Sequence, residues 1–233
     1  MIFMLLRLKY LGTFLFLIFG NIIVAQDDDW MQEYDFVFLR DHLTQAIYDI
    51  RYASDNNFVG RPIDGYETAK LVMTQEAAEA LMQVEQQLKK SGYGLKIFDT
   101  YRPQRAVNQF KAWATIPQDT LTKKDFYPHQ DKSKLFQLGY ISSRSGHSRG
   151  STIDLTLYHL ESKKEVDMGA PYDFFGEISH HDYQHLSNRQ IENRKLLKRI
   201  MYRYGFIAYS KEWWHYTLHN EPYPNKYFDF IVP

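Results

Sequence analysis

Apolar and polar residues alternate with two different periods along this chain, and the switches between them outline its elements. From Thr74 the segment TQEAAEALMQVEQQLKKSG places Ala77, Leu81, Val84 and Leu88 at helical spacing, with Thr74 as a candidate N-cap and Gly92 as a stop. GLKIFDTYR then alternates like a strand, and PQRAVNQFKAWAT predicts a helix opened by Pro103. Upstream, DFVFLRDHLTQAIYDIRYA mixes both classes at short period and runs into the turn-rich SDNNFVGRPIDGY, which predicts a strand, a loop and irregular structure. A second strong helix is expected from Ser187 to Gly205, followed by the aromatic, β-prone FIAYSKEWWHYTL. In STIDLTL, Ile153, Leu155 and Leu157 share one face of a strand while Thr152, Asp154 and Thr156 share the other. Strands and helices do not alternate regularly, and no repeat or low-complexity linker appears. The expectation is an α+β single domain, an antiparallel central sheet flanked by helices.

Composition supports a buried core. Of 233 residues 44% are hydrophobic, and 18 Tyr and 16 Phe argue for large buried rings. With 28 Lys+Arg against 28 Asp+Glu and no long basic run, nothing draws the chain to nucleic acid. The absence of Cys excludes disulfides, thiolate catalysis, cysteine metal ligands and a lipidated cysteine, so any metal must be held by His and carboxylate. Residues 1–25 differ in kind: Arg7 and Lys9 precede the apolar LGTFLFLIFGNIIVA, and QDDDW begins a polar chain. This reads as a secretory signal peptide cleaved after Ala25, although Ile23 stands where a small residue is usual. The alternative is an uncleaved membrane anchor, the apolar stretch from Leu11 being shorter than the roughly 20 residues of a span but extendable into one. The domain, 26–233, is then expected outside the cytoplasm, periplasmic or secreted, with no stable membrane partner after cleavage. Nothing in the pattern specifies an oligomeric state.

The candidate chemistry begins in SGHSRGSTIDLTL. His147 precedes a turn that Gly150 permits, so the chain can bend its imidazole back beside Asp154. Either residue alone is ordinary; the pair needs a third member. KEWWHYTL offers Glu212 and His215, which on an ideal strand fall on opposite faces, so a bend or bulge is expected near Trp213 if both serve one site. The alternative is that the two tryptophans anchor the core and their flanking Glu and His are merely exposed. Two neutral imidazoles and one carboxylate are the ligand set of a catalytic zinc, which leaves a position for water. A glutamate that does not bind the metal can take the proton from that water.

In order and spacing, IYDIRYASDNNFVG, FDTYRPQRAV, SGHSRGSTIDLTL, DMGAPYDFFGE with the following SHH, and EWWHYT make the chain resemble the D-alanyl-D-alanine dipeptidase family of zinc peptidases, related to the D,D-carboxypeptidases of peptidoglycan. The resemblance implies a hedgehog/D,D-peptidase-like fold, one Zn2+ per chain held by His147, Asp154 and His215, and Glu212 as general base. It implies that Arg102 stabilises the tetrahedral intermediate, with Arg105 a solvent-facing rival, and that Ser145 and Asp173 receive the substrate's ammonium. Asp173 read alone is an ordinary turn residue after Pro171. Tyr52, Asn56, Asn57 and Phe58 are assigned to pocket shape. His180, His181 and His185 are expected at the surface or behind the ligands rather than as a second metal site. The implied reaction is hydrolysis of D-Ala-D-Ala to two D-alanines, the alternative being a D,D-carboxypeptidase on longer peptidoglycan peptides.

Overall fold

The computed structural model describes residues 29–232. The expected signal segment, 1–25, lies outside the described residues. Among those described, no helix is long and apolar enough to cross a membrane.

In chain order the elements are α1 (Asp29–Glu33), β1 (Phe36–Phe38), β2 (Ile47–Tyr48), β3 (Val72–Thr74), α2 (Gln75–Lys89), β4 (Tyr93–Asp99), α3 (Gln104–Ala114), α4 (Lys123–Phe126), α5 (Leu135–Leu138), β5 (Thr152–His159), α6 (Asn188–Arg203), β6 (Phe206–Ala208) and β7 (His215–Leu218). The main sheet has the order β2-β4-β5-β7-β6, and β1 pairs with β3 beside it. Every pairing in the main sheet is antiparallel except the edge pair of β2 with β4. The sheet is antiparallel at its centre as expected, and its parallel edge has a topological reason. The chain travels from β2 to β4 through β3 and α2, and so returns to the sheet in the same direction, as a helical crossover does.

The helices fall where their patterns predict them, with one difference at a cap. Thr74 precedes α2, but its hydroxyl makes no cap bond and instead meets Ser151 Oγ at 2.7 Å. This ties the start of the helix to the chain entering β5. α6 opens with a capping box, in which Ser187 accepts from the Gln190 amide and the Gln190 side chain accepts from that of Ser187.

Two hydrophobic clusters sandwich the sheet's centre. On one side Leu81, Val84 and Leu88 of α2 and Leu197 and Met201 of α6 pack with Ile153, Leu155 and Leu157 of β5, and with Trp213 and Trp214. Each of those fully buried β5 side chains contributes about 1.5–3 kcal/mol. On the other side lies an aromatic cluster that includes Tyr52, Phe58, Phe110, Trp113, Phe175 and Phe228. Strand β5 is therefore buried on both faces from Thr152 to Tyr158, and its polar face is a floor rather than a solvated surface. Part of the cover is the long segment between α3 and β5, held by Lys132, whose ammonium donates to the carbonyls of Ile116 and Asp119 and lies 3.8 Å from the centre of the Trp113 ring. The same segment is bound to the β6–β7 connection through Lys211 Nζ to Leu138 O and Tyr209 Oη to Gly139 O.

Candidate metal centre and active site

Strand register brings the first two candidate ligands together. β5 and β7 run antiparallel with Asp154 opposite His215, so their side chains leave the same face of the sheet. His147 arrives from a single 3-10 turn, Gly146–Arg149. Ser145 Oγ caps that turn by accepting the His147 N–H at 3.3 Å, and Gly150 ends it at φ +86°. Gly150 has no substitute there: a Cβ would stand 2.2 Å from the Phe36 ring. The bend expected near Trp213 is present, with turns covering 210–211 and 213–214 ahead of β7. It buries both tryptophans while leaving Glu212 beside His215, with Glu212 Oε2 3.5 Å from His215 Nδ1.

Three donor atoms converge. His147 Nε2 lies 3.2 Å from Asp154 Oδ1 and 3.2 Å from His215 Nδ1, and His215 Nδ1 lies 3.0 Å from Asp154 Oδ1. A tetrahedral zinc with ligand bonds of about 2.0 Å has donor–donor edges of about 3.3 Å, so this triangle fits such an ion. The donors' surroundings support the fit. His147 Nδ1 is 2.6 Å from the Thr100 carbonyl, which requires the proton on that nitrogen and turns the Nε2 lone pair toward the site. Asp154 Oδ2 accepts from the Tyr172 hydroxyl at 3.1 Å, while the buried Oδ1 has no hydrogen-bond partner. Among the described residues no other group of three His or carboxylate side chains is gathered in this way.

The electrostatics agree with that donor set. Burial pulls the His147 pKa below its ordinary value and so favours the neutral ligand form. Burial pushes Asp154 up, but His147 and His215 outweigh it and hold the carboxyl well below its usual range. Glu212 is pushed up to about 8, by burial first and then by the Asp154 charge, with Arg102 opposing. A dication among the donors acts against that shift.

Arg102 is fixed on every side. Its Nε and Nη2 lie 2.9 and 2.8 Å from Asp99 Oδ2, its Nη2 is 3.5 Å from Asp154 Oδ2, and its guanidinium stands over the rings of Tyr52 and Phe110. Asp99, fully buried, also accepts from Tyr66 Oη at 2.6 Å. Arg105 points elsewhere, paired with Asp229 in an exposed bridge.

The donors open into a cavity of about 260 Å³, also lined by Arg102, Ser145, Asp173 and Glu212. Asp173 holds a left-handed turn conformation, φ +60°, yet its side chain is buried and accepts from Tyr52 Oη at 2.9 Å. Burial, and then the Asp154 charge, push its carboxyl well above the usual range. A cationic group beside it would draw it back toward ionisation. Tyr52 and Phe58 line the cavity as expected. Asn56 and Asn57 do not: Asn56 is exposed, and Asn57 is buried as the hub of its loop, donating to the Ser54 and Arg61 carbonyls and accepting from the Val59 and Gly60 amides. His180, His181 and His185 do not share a site. The first meets Tyr140 Oη at 3.2 Å, the second packs on Tyr216 and the third on Tyr183. Asp99, Tyr172 and Tyr140 escaped the sequence reading. A carboxylate closing the apolar alternation of GLKIFD was the one available signal, for Asp99.

Comparison with known proteins places the chain in a family. The peptidase M15 family model, described as D-ala-D-ala dipeptidase, matches residues 32–233. The chain is 48% identical to the D-alanyl-D-alanine dipeptidase of Enterococcus faecium over 200 residues, 86% of this chain and 99% of that protein. It is 46% identical to the dipeptidase of the same description from Enterococcus faecalis, over the same shares of both chains. With that from Streptomyces coelicolor it shares 43% identity across 85% of this chain and 98% of the other. The donor triangle thus sits in a chain that belongs to the M15 peptidases, in their D-Ala-D-Ala dipeptidase family.

Proposed function

We propose that this protein hydrolyses D-Ala-D-Ala to two molecules of D-alanine, with zinc held by His147, Asp154 and His215. The observation that carries the reading is one arrangement: a three-donor site with Glu212 beside it opens into a cavity that is also lined by buried Tyr52, Phe58, Phe175 and Asp173. Zinc held by two imidazoles and one carboxylate supplies the Lewis acidity that makes water nucleophilic near neutral pH. Asp173, held by Tyr52, receives the substrate's ammonium, and Ser145 lines the same cavity two residues before a ligand. Glu212 takes a proton from the attacking water and delivers it to the nitrogen of the scissile amide as the C–N bond breaks. Arg102, immobilised by Asp99, donates to the oxygen that gains charge when the carbonyl becomes tetrahedral. No side chain is acylated in this sequence.

An amine held beside Asp173 meets the Tyr52 hydroxyl on that carboxylate, and buried Phe58 and Phe175 line the same cavity, which favours a free dipeptide amine over an acylated one. Export through the 1–25 segment would bring the enzyme to dipeptide released outside the cytoplasm. Its Arg7 and Lys9 followed by an apolar run support that route, and fractionation of producing cells checks it. The test of the activity is hydrolysis of D-Ala-D-Ala by the chain after chelation, with and without added zinc. Activity lost on chelation and restored by zinc is expected. A preference for N-acetyl-D-Ala-D-Ala would instead favour a D,D-carboxypeptidase, and hydrolysis that ignores chelation would defeat the zinc mechanism.

A further inference from the structure

A free dipeptide is a zwitterion, and the groups discussed so far account for its ammonium and its amide but not for its carboxylate. The charged side chains lining the cavity are Asp154, Asp173 and Glu212 on the acidic side and Arg102 and Arg144 on the basic side, besides the two histidines. Arg102 is held by Asp99 and, in the proposed mechanism, serves the oxygen of the scissile carbonyl. Arg144 is different. It is exposed, lines the cavity next in sequence to Ser145, and its guanidinium lies over the Tyr227 ring at 5.2 Å. No carboxylate among the described residues lies within ion-pair distance of it, whereas Arg149, which shares the Tyr227 ring, is paired with Glu221 at 2.8 Å. The ring orients the Arg144 fork without consuming its N–H donors.

We propose that Arg144 reads the C-terminal carboxylate of the substrate, making it a specificity-determining residue for peptides with a free C-terminus. This deepens the dipeptidase reading and rests on it. The substrate then lies with its ammonium beside Asp173, its scissile bond over the donor triangle and its carboxylate beside Arg144. The leaving amino acid is the one nearest solvent. The charge placement also gives the cavity a direction, since a peptide entering reversed would set its carboxylate against Asp173 and its ammonium against Arg144.

The test compares D-Ala-D-Ala with its C-terminal amide on zinc-loaded wild type, Arg144→Gln and Arg144→Lys. Wild type is expected to prefer the acid. Arg144→Gln should lower kcat/KM for the acid by about 10- to 100-fold, the worth of a charge-assisted hydrogen bond, mainly through KM, and leave the amide nearly unchanged. The acid-to-amide ratio should collapse, and Arg144→Lys should restore part of it. Zinc content and Tm should match wild type, because the side chain is exposed. An acid-to-amide ratio in Arg144→Gln equal to that of wild type overturns the proposal while leaving the dipeptidase reading intact. If wild type cleaves only N-acetylated D-Ala-D-Ala, the dipeptide reading falls, and the same ratio measured on the acetylated acid and amide decides Arg144. Hydrolysis of neither substrate by wild type overturns both.

Discussion

Glu212 and Asp173 are both carboxyls raised by burial and by the charge of Asp154, yet the site asks opposite things of them. Asp173, bonded to Tyr52, must hold a cation; Glu212, beside His215 Nδ1, must exchange a proton. Replacing Glu212 with Gln keeps the shape and removes the base. We expect kcat on D-Ala-D-Ala to fall about 10²- to 10⁴-fold with one zinc per chain retained, as read by steady-state kinetics beside metal analysis. Loss of zinc in that variant would recast Glu212 as a ligand. Without cysteine a metal needs His and carboxylate, and strand alternation puts Asp154 on a polar face, but His215 stands open as a ligand until the family resemblance assigns it. The donors' supports were less legible still. Thr100 serves through its backbone carbonyl, which no side-chain pattern marks, and Tyr172 bonds Asp154 from 18 residues away through a loop.

Among the elements, the turn from Gly146 to Arg149 carries the most demand per residue, because it must aim His147 while passing over Phe36. Gly150→Ala adds a Cβ against that ring in a backbone conformation that L residues resist. It should cost roughly 2–5 kcal/mol, seen as a lowered Tm, and weaken zinc binding through displacement of His147. A second element-level effect joins α6 to β7. His181 packs on Tyr216, its Nε2 is buried without a hydrogen-bond partner, and its pKa is lowered to about 4 by burial and by Lys198 and Arg194. The native state therefore binds this proton less readily than the unfolded chain, whose histidine titrates near 6.5. The stability is fully present above that value and declines as pH falls from 6.5 toward 4. His181→Phe removes the linkage, so its Tm relative to wild type should rise as pH drops through that window. A pH-independent difference would rule the linkage out. The long helices and β5 could be read from periodicity, but the burial of both faces of β5 could not. Its polar face is met by Tyr172 and His147, which come from loop and turn segments that leave no period.

For the whole molecule, the site lies where two cores meet. An aliphatic and tryptophan-rich cluster fixes β5 and β7 from one side, an aromatic cluster shapes the cavity from the other, and the donors stand between them. An ion bound there links the 146–149 turn, β5 and β7, which are distant in sequence, so function and fold depend on the same three side chains. The most direct measurement is anomalous scattering at the zinc edge from crystals of the zinc-loaded protein. The account predicts one peak per chain, within about 2.0–2.2 Å of His147 Nε2, Asp154 Oδ1 and His215 Nδ1. A peak elsewhere, or none at this triangle in protein that cleaves D-Ala-D-Ala, would contradict it.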